Sequence, residues 1–231
     1  MEVTLAPLGF HDFYTLLPYL DEPLLVDKAG RKISIRDKYG HLAFTYNANL
    51  TCPIPAPIAL HCVLITKDHQ IVFMQRSHSV AFYPNHWSAS FEETMDSPGV
   101  SPKGNHRPGD TDFFACATRG LEEELGITAE SIESIKILSL NVEYLILAIG
   151  VVAVVRTHLT AHEVKSHWLI QAPDRNEASK FATLSTDPSA VLQKLFDGNT
   201  LWHPTARMRL IQFLFHSYGV KEILALLKTA K

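Results

Sequence analysis

The chain contains little cysteine and no excess of charge of either sign, and each shortage excludes a class of protein. Its three cysteines are an odd number without the spacing of metal ligands. Cys62 and Cys116 lie in apolar surroundings, which predicts buried thiols in a reducing, cytoplasmic compartment. The net charge is −3 with histidine neutral, so no basic footprint favours binding to nucleic acid.

Long hydrophobic runs are also lacking. The most apolar stretch, residues 142–155, contains Glu143 and is too short to span a bilayer, so no membrane partner is expected. The amino-terminal residues lack a basic start followed by an apolar core, so no signal peptide is expected. With 46% hydrophobic and 19% charged residues, the composition is that of an ordinary soluble globular protein.

Three prolines between residues 53 and 57 mark the main predicted boundary. Proline donates no backbone hydrogen bond and favours an extended spacer, so residues 1–57 are interpreted as an extension with a short helix and short strands. These strands are predicted at 24–26, 32–36 and 42–46. Residues 58–231 form the larger predicted domain. A homodimer contact and a cap over a site are the two roles considered for the extension.

The elements predicted in the larger domain favour a mixed α/β (α+β) sandwich with a helical carboxyl-terminal part, rather than a doubly wound parallel sheet. Its strands are predicted at 58–66, 71–75, 87–91, 134–141, 143–156 and 181–184. Residues 92–110 contain prolines and glycines without periodicity, which predicts a long functional or disordered loop. Helices are predicted up to Leu125 and after Asp187, His203 and Gly219, whereas residues 164–172 are mixed in character.

The end of the first long helix carries two adjacent acidic residues, Glu123 and Glu124. The apolar positions of this helix recur at steps of three and four and share one face: Phe114, Ala117, Leu121 and Leu125. Gly126 is predicted to stop the helix. Two neighbouring carboxylates are costly unless solvent or a cation neutralises them. A divalent metal site and a solvated acidic face are therefore the two interpretations.

The stretch from Arg119 to Ile127 resembles the second half of the Nudix hydrolase signature, in which a glutamate-rich helix lies between two loops. The matching positions are Arg119, Leu121, Glu123, Glu124, Gly126 and Ile127. The resemblance covers roughly residues 58–215. It implies a Nudix-like α/β/α sandwich and a pyrophosphatase that hydrolyses a nucleoside diphosphate linked to another group, with Mg²⁺ or Mn²⁺ on Glu123 and Glu124.

The chain departs from the family signature at one helical position and across the preceding loop. Gly120 stands where the family has the first of three metal-binding glutamates. The first half of the signature is interrupted by an insertion of about residues 94–108, and Glu92 and Glu93 fall where the family has glycines. One hypothesis is that Glu92 or Glu93 substitutes for the missing carboxylate. The alternative is that this pair belongs to an acidic loop exposed to water.

Further candidates have a functional and a structural interpretation each. Arg119 either orients Glu123 for the site or forms an ordinary i,i+4 helix salt bridge with it. Glu177 lies where the resemblance implies a further glutamate, a metal ligand or general base on a late loop. Arg76 either contacts a phosphate or caps a strand at the surface. Trp87 either stacks on a base or packs in the core.

Arg207 and Arg209, with His203 just before them, could contact a ligand, but packing and solvation are the favoured roles. The leading prediction is a divergent Nudix hydrolase acting on a small nucleoside diphosphate derivative. Its rival is a Nudix-fold binding or regulatory module that has lost catalysis, motivated by Gly120.

Overall fold

A seven-stranded sheet forms the centre of the computed structural model, which describes residues 14–41, 57–96, 109–143 and 145–229. Its strands are β3 (Ile58–Ile65), β4 (Gln70–Arg76), β5 (Trp87–Ser88), β6 (Phe91–Thr94), β7 (Ile132–Glu143), β8 (Ala148–Thr157) and β9 (Ala178–Ser185). The order is β5-β4-β3-β8-β7, with β6 paired to β3 and β9 to β4. The β4–β9 pair is antiparallel, with Met74 opposite Phe181.

Helices flank this sheet, which confirms the predicted α/β sandwich with a helical carboxyl-terminal part. They are α2 (Phe113–Leu125), α3 (Ala161–Ile170), α4 (Pro188–Leu195), α5 (Pro204–Tyr218) and α6 (Val220–Thr229). Strands β3 and β4 and helices α4, α5 and α6 contribute to one hydrophobic cluster, in which Ile65, Ile71, Leu195, Phe213 and Ile223 are buried. Complete burial of such a side chain contributes about 2 kcal/mol, so this cluster anchors the helices to the sheet.

Helix α2 begins and ends where local sequence signals predict. The Asp112 carboxylate accepts hydrogen bonds from the backbone N–H groups of Phe114 and Ala115 at 2.9 and 2.8 Å, which caps the helix. Gly126 ends it in the left-handed conformation, with φ +67°. Leu121 and Leu125 are buried as predicted, but Phe114, in the first turn of the helix, is 51% exposed.

Helices begin at two places where none was predicted. The strand predicted at 32–36 stops at Ile33, and Ser34 begins a short helix through a capping box with Asp37. The mixed stretch at 164–172 is mostly helix α3, which Thr160 and Glu163 begin through a second capping box.

The strand predicted at 87–91 is divided. Strand β5 ends at Ser88, Ser90 adopts φ +81°, and β6 then places Glu92 and Glu93 in the sheet rather than in a loop. The side-chain hydroxyl of Ser90 accepts from Leu64 N–H at 2.7 Å and donates to Val72 O at 2.8 Å. These bonds to two neighbouring strands hold the unusual backbone conformation.

The chain groups into two compact units. The first comprises Met1–Ala59, Thr94–Asp110 and Leu140–Gly150, and the second comprises Leu60–Glu93, Thr111–Ser139 and Val151–Lys231. Every candidate site residue belongs to the second unit. The predicted boundary at residue 57 stays a prediction.

The described part of the first unit contains the β1–β2 hairpin (Leu25–Val26 and Lys32–Ile33) and helix α1 (Ile35–Tyr39). Leu20 and Leu147 form its small core. The strand predicted at 42–46 lies outside the described residues, and a homodimer contact through this unit stays a prediction. Within the described ranges, no single helix is long and apolar enough to cross a membrane; α5 and α6 pass that test only jointly, bent by 118°.

Candidate active site

Arg119 joins a strand carboxylate to a helix carboxylate. Its Nη1 atom lies 3.1 Å from Glu93 Oε1 on β6 and 3.0 Å from Glu123 Oε2 one turn along α2. All three side chains are largely shielded, with 17–19% of their surface exposed. The i,i+4 pair predicted between Arg119 and Glu123 is therefore present, and Glu93 shares the same guanidinium.

Glu124 lies beside this group, and one of its oxygens has no hydrogen-bond partner among the described residues. Its Oε1 atom is buried and makes no hydrogen bond to the described residues. Burial raises the pKa of Glu124 well above its usual value, and the nearby charges of Glu93 and Glu177 add to the effect. A buried carboxyl oxygen without a donor is costly, so this position is suited to a cation or a proton.

Glu93 is also shielded from solvent, but the positive charge of Arg119 lies beside it. Burial raises the pKa of Glu93 to about 7, against the opposing effect of Arg119, and the charges of Glu123 and Glu177 add to the increase. An acid with a pKa near 7 can hold or release a proton at physiological pH.

Gly120 is buried in α2 directly against β6. A Cβ atom at this position would lie 2.9 Å from Glu93 Cβ and 2.9 Å from Phe91 Cε2. Real side-chain carbons do not approach this closely. Glycine is therefore required by the contact between the helix and the strand, and the helix cannot carry a carboxylate here without displacing its neighbours.

Glu92 points to the opposite side of β6, into a buried polar cluster. Arg209 Nη2 donates a hydrogen bond to its Oε1, and Ser88 Oγ donates to the same oxygen at 2.8 Å. Burial opposes ionisation of Glu92, but the positive charge of Arg209 outweighs it and holds the pKa of Glu92 well below its usual value. Glu92 is therefore the ionised partner of a buried arginine, not an exposed loop residue.

The remaining members of this cluster are Thr205 and Arg209 on α5, His203 just before that helix, and His61 on β3. Arg209 is fully buried and Thr205 Oγ1 accepts a bond from its Nη2 at 2.6 Å. The backbone N–H of Thr205 donates to His203 Nδ1 at 3.3 Å, which leaves the ring proton of neutral His203 on Nε2. Burial lowers the pKa of His203 to about 3, against the opposing effect of Glu92, so this histidine is neutral.

Arg76 connects the two sides of the site at the end of β4. Its Nε donates to Phe82 O at 3.0 Å, and its Nη1 lies 3.6 Å from Glu92 Oε2. Its positive charge also lowers the pKa of Glu124, against the burial of that group. Arg76 is thus a partly buried cation among carboxylates, not a solvated cap.

The last two sequence candidates lie at the border of this group. Glu177 ends a short 3₁₀ turn (Arg175–Glu177), and its backbone oxygen accepts from Ser77 N–H at 2.7 Å. Its charge reaches both Glu93 and Glu124. Trp87 packs against the hydrophobic cluster of the sheet, so contact with a base stays a prediction.

A comparison with protein-family models gives one match over this region. The model of the NUDIX domain matches residues 55–184, which is more than half of the chain. The chain belongs to the Nudix family. It is accordingly a Nudix-type hydrolase, and the match extends from β3 to β9, so it includes α2 and all of its carboxylates.

Solved structures similar to this Nudix protein share little sequence with it. DR0079 from Deinococcus radiodurans is 16% identical, with 82% of this chain and 97% of that chain covered and a TM-score of 0.47. The MutT NUDIX hydrolase from Burkholderia pseudomallei is 15% identical, with 69% and 98% covered and a TM-score of 0.43. No curated protein matches the chain. At these values the likeness does not extend to activity.

The donor set of the Nudix site suits a hard divalent cation. Nudix hydrolases generally use divalent metals, and carboxylate oxygens such as the unpartnered Glu124 Oε1 are the ligands that such ions prefer. Among the residues described, no group of three or more His, Cys, Asp or Glu side chains is arranged to hold a metal ion. Arg119 occupies the oxygens of Glu93 and Glu123 instead. Because Mg²⁺ keeps several waters, two carboxylates and substrate phosphates can still hold it.

Sequence reasoning missed the polar cluster around Arg209, although one signal was available. Thr205, Arg209 and Phe213 recur at steps of four on α5 and are all buried, so a charged residue falls on the apolar face of the helix. Such a residue is almost never fully buried unless it is paired. Its partner Glu92 lies far away in the sequence, and periodicity could not identify it.

Proposed function

We propose that this Nudix protein hydrolyses a diphosphate bond in a nucleoside diphosphate linked to another group, with Mg²⁺ or Mn²⁺ held by Glu123 and Glu124. The observation that carries the proposal is the cluster of shielded carboxylates at the α2 edge, in which Glu124 Oε1 has no hydrogen-bond partner among the described residues. Carboxyl groups are stabilised in such a place by a cation that the protein itself does not supply. The substrate class is that of the family.

Each step of the reaction has a residue suited to it. A divalent cation supplies positive charge against the oxygens of the diphosphate. Arg119 orients Glu123 and Glu93, and Arg76 supplies a partly buried guanidinium to an approaching phosphate. Glu93, whose pKa is about 7, can hold a proton in the absence of a cation and release it when a cation binds. Glu177 is a candidate for general base or further metal ligand, because its charge acts on Glu124.

A binding or regulatory module is the second candidate function. The observation in its favour is that Arg119 already neutralises Glu93 and Glu123, and that no three metal-ligating side chains converge within the described residues. Such a protein would bind nucleotide without requiring a metal and without releasing a product.

The two functions make opposite predictions for turnover. We expect the full chain to release nucleoside monophosphate from a panel of nucleotide sugars and dinucleoside diphosphates only when Mg²⁺ or Mn²⁺ is present. Glu123→Gln should lower this rate by about 100-fold or more, since a metal-holding charge is lost. Product release measured by chromatography checks both statements.

Glu122 provides the matched control for this measurement. It is the exposed neighbour of Glu123 on the same helical turn, so Glu122→Gln should leave the rate unchanged. Thermal stabilisation by nucleotides without metal dependence or product release would contradict the hydrolase and support the binding module.

A further inference from the structure

We infer that Glu93 supplies, from strand β6, the carboxylate that helix α2 lacks at Gly120. The inference rests on the proposed function, since it concerns the cation held at Glu123 and Glu124. It selects one of the two acidic residues that follow Phe91, and it explains why a glycine occupies a helical position that otherwise favours a longer side chain.

The volume at position 120 is already filled by Glu93. Residues three and four apart share one edge of a helix, so positions 120, 123 and 124 lie together. A Cβ at Gly120 would lie 2.9 Å from Glu93 Cβ and 3.2 Å from Glu93 Cγ. A side chain projecting from the helix and the side chain of Glu93 therefore compete for one space, and Glu93 occupies it.

Of the two neighbouring acids, Glu93 is the one that contacts a side chain of α2. Adjacent residues of a strand point to opposite faces of the sheet. Glu92 is directed to Arg209 and Ser88, whereas Glu93 is directed to Arg119 on α2. Its pairing with the buried Arg209 holds the Glu92 side chain on the face of β6 opposite to that of Glu93.

The carboxylate of Glu93 also shares its partner with a proposed metal ligand. Arg119 Nη1 contacts Glu93 Oε1 and Glu123 Oε2 at nearly equal distances of 3.1 and 3.0 Å. A salt bridge that only ties a strand to a helix needs one carboxylate. Two carboxylates share one nitrogen of Arg119, next to the unpartnered Glu124 Oε1. Together these acids can carry more negative charge than Arg119 neutralises.

The first test measures cation affinity. The dissociation constant for Mn²⁺ is obtained by electron paramagnetic resonance titration of the full chain, and turnover is measured in parallel. We expect Glu93→Gln, which keeps the shape of the side chain, to weaken Mn²⁺ binding by about 10-fold to 100-fold. Glu122→Gln serves as the exposed control. A change of less than twofold for Glu93→Gln would overturn the inference.

The second test measures shared space and does not depend on metal or activity. Gly120→Ala should lower the melting temperature by about 5 °C, because the added carbon overpacks the contact with Glu93 and Phe91. In the background Phe91→Leu/Glu93→Gly, which removes both contacting groups, the same substitution should lower it by less than half as much. Equal losses in both backgrounds would overturn the shared-space argument.

The third test moves the carboxylate to the helix. Phe91→Leu/Glu93→Gly/Gly120→Glu is compared with the same variant carrying Gly120→Gln, which has equal bulk and no charge. We expect at least a 10-fold tighter Mn²⁺ dissociation constant with glutamate. Equal affinities of the two variants would contradict the exchange.

The outcomes separate this inference from the proposed function. If the wild type neither binds Mn²⁺ nor releases a product, the proposed function fails and the inference fails with it. If the wild type does both and Glu93→Gln does so equally well, only the role of Glu93 is wrong. Because Glu93→Gln preserves size, this result does not depend on whether the multiple variants fold.

Discussion

Glu124→Gln should make the metal-free protein more stable at pH 7.5 while it lowers metal-dependent turnover by about 100-fold or more. Both effects have one cause. Glu124 Oε1 is buried without a hydrogen-bond partner among the described residues, and burial together with the charges of Glu93 and Glu177 raises the pKa of Glu124 well above its usual value. Glutamine has the shape of the neutral acid, so it removes the charge that the fold disfavours and the site requires.

The difference in stability should depend on pH in a defined direction. Below pH 4.5 the carboxyl of Glu124 is neutral in the folded and the unfolded chain, so wild type and variant should be about equally stable. As the pH rises above this value, Glu124 ionises in the unfolded chain before it does so in the folded chain. The wild type therefore loses stability and the variant does not, so the gap between them opens towards pH 7.5.

Urea unfolding with EDTA at pH 4.5 and pH 7.5 measures this gap. Other groups titrate in the same window: the pKa of Glu93 is raised to about 7, which by itself removes about 3 kcal/mol between pH 4.5 and pH 7. Glu92, whose pKa is lowered, acts in the opposite direction. Comparison of wild type and variant at one pH cancels both contributions. A Glu124→Gln protein that is less stable than the wild type at pH 7.5 would contradict the account.

Local signals were sufficient to predict the helix that carries the site. The apolar spacing of α2, the Asp112 cap and Gly126 each act within a few residues, so a single sequence contains them. The same kind of signal was available for α3, where Thr160 and Glu163 form a capping box ahead of Val164 and Trp168. This helix was not predicted, because polar and apolar residues are mixed along it.

The directions of the Glu92 and Glu93 side chains on β6 could not be predicted, because the residues that determine them are distant in the chain. Glu92 and Glu93 follow the unusual backbone conformation at Ser90 and precede many prolines and glycines, which favours a loop. They lie in a strand because β3 supplies a partner for β6. Which acid meets which arginine then follows from strand alternation and from the positions of Arg119 and Arg209.

The space that excludes a side chain at Gly120 is likewise a property of packing. From sequence alone, the glycine indicates only that a family carboxylate is missing. The contact of α2 with Phe91 and Glu93 shows why a glycine is needed at position 120. Any larger residue would have to displace the buried ring of Phe91 and the side-chain carbons of Glu93. The departure from the family signature is therefore linked physically to Glu93.

Arg209→Met should lower the free energy of unfolding by about 3–5 kcal/mol, because it leaves the buried carboxylate of Glu92 without its principal counter-charge. Arg209 is fully buried, and besides Glu92 its guanidinium donates to the backbone oxygens of Ala89 and Phe91. The nearest remaining guanidinium, that of Arg76, is 3.6 Å from Glu92. Urea unfolding at pH 7 measures the loss, and Arg207→Met, an exposed change on the same helix, should stay within about 0.5 kcal/mol of the wild type.

The double variant Arg209→Met/Glu92→Gln decides whether charge or packing causes the loss. If an uncompensated charge is responsible, removal of both charges should recover a large part of the stability, because neutral partners avoid the burial of a lone ion. If packing of the arginine stem is responsible, the double variant should be at least as unstable as Arg209→Met. Because Glu92 and Glu93 are neighbours on β6, Arg209→Met should also weaken Mn²⁺ binding. The double variant should then recover Mn²⁺ affinity together with stability, since the strand that presents Glu93 would again be held in place.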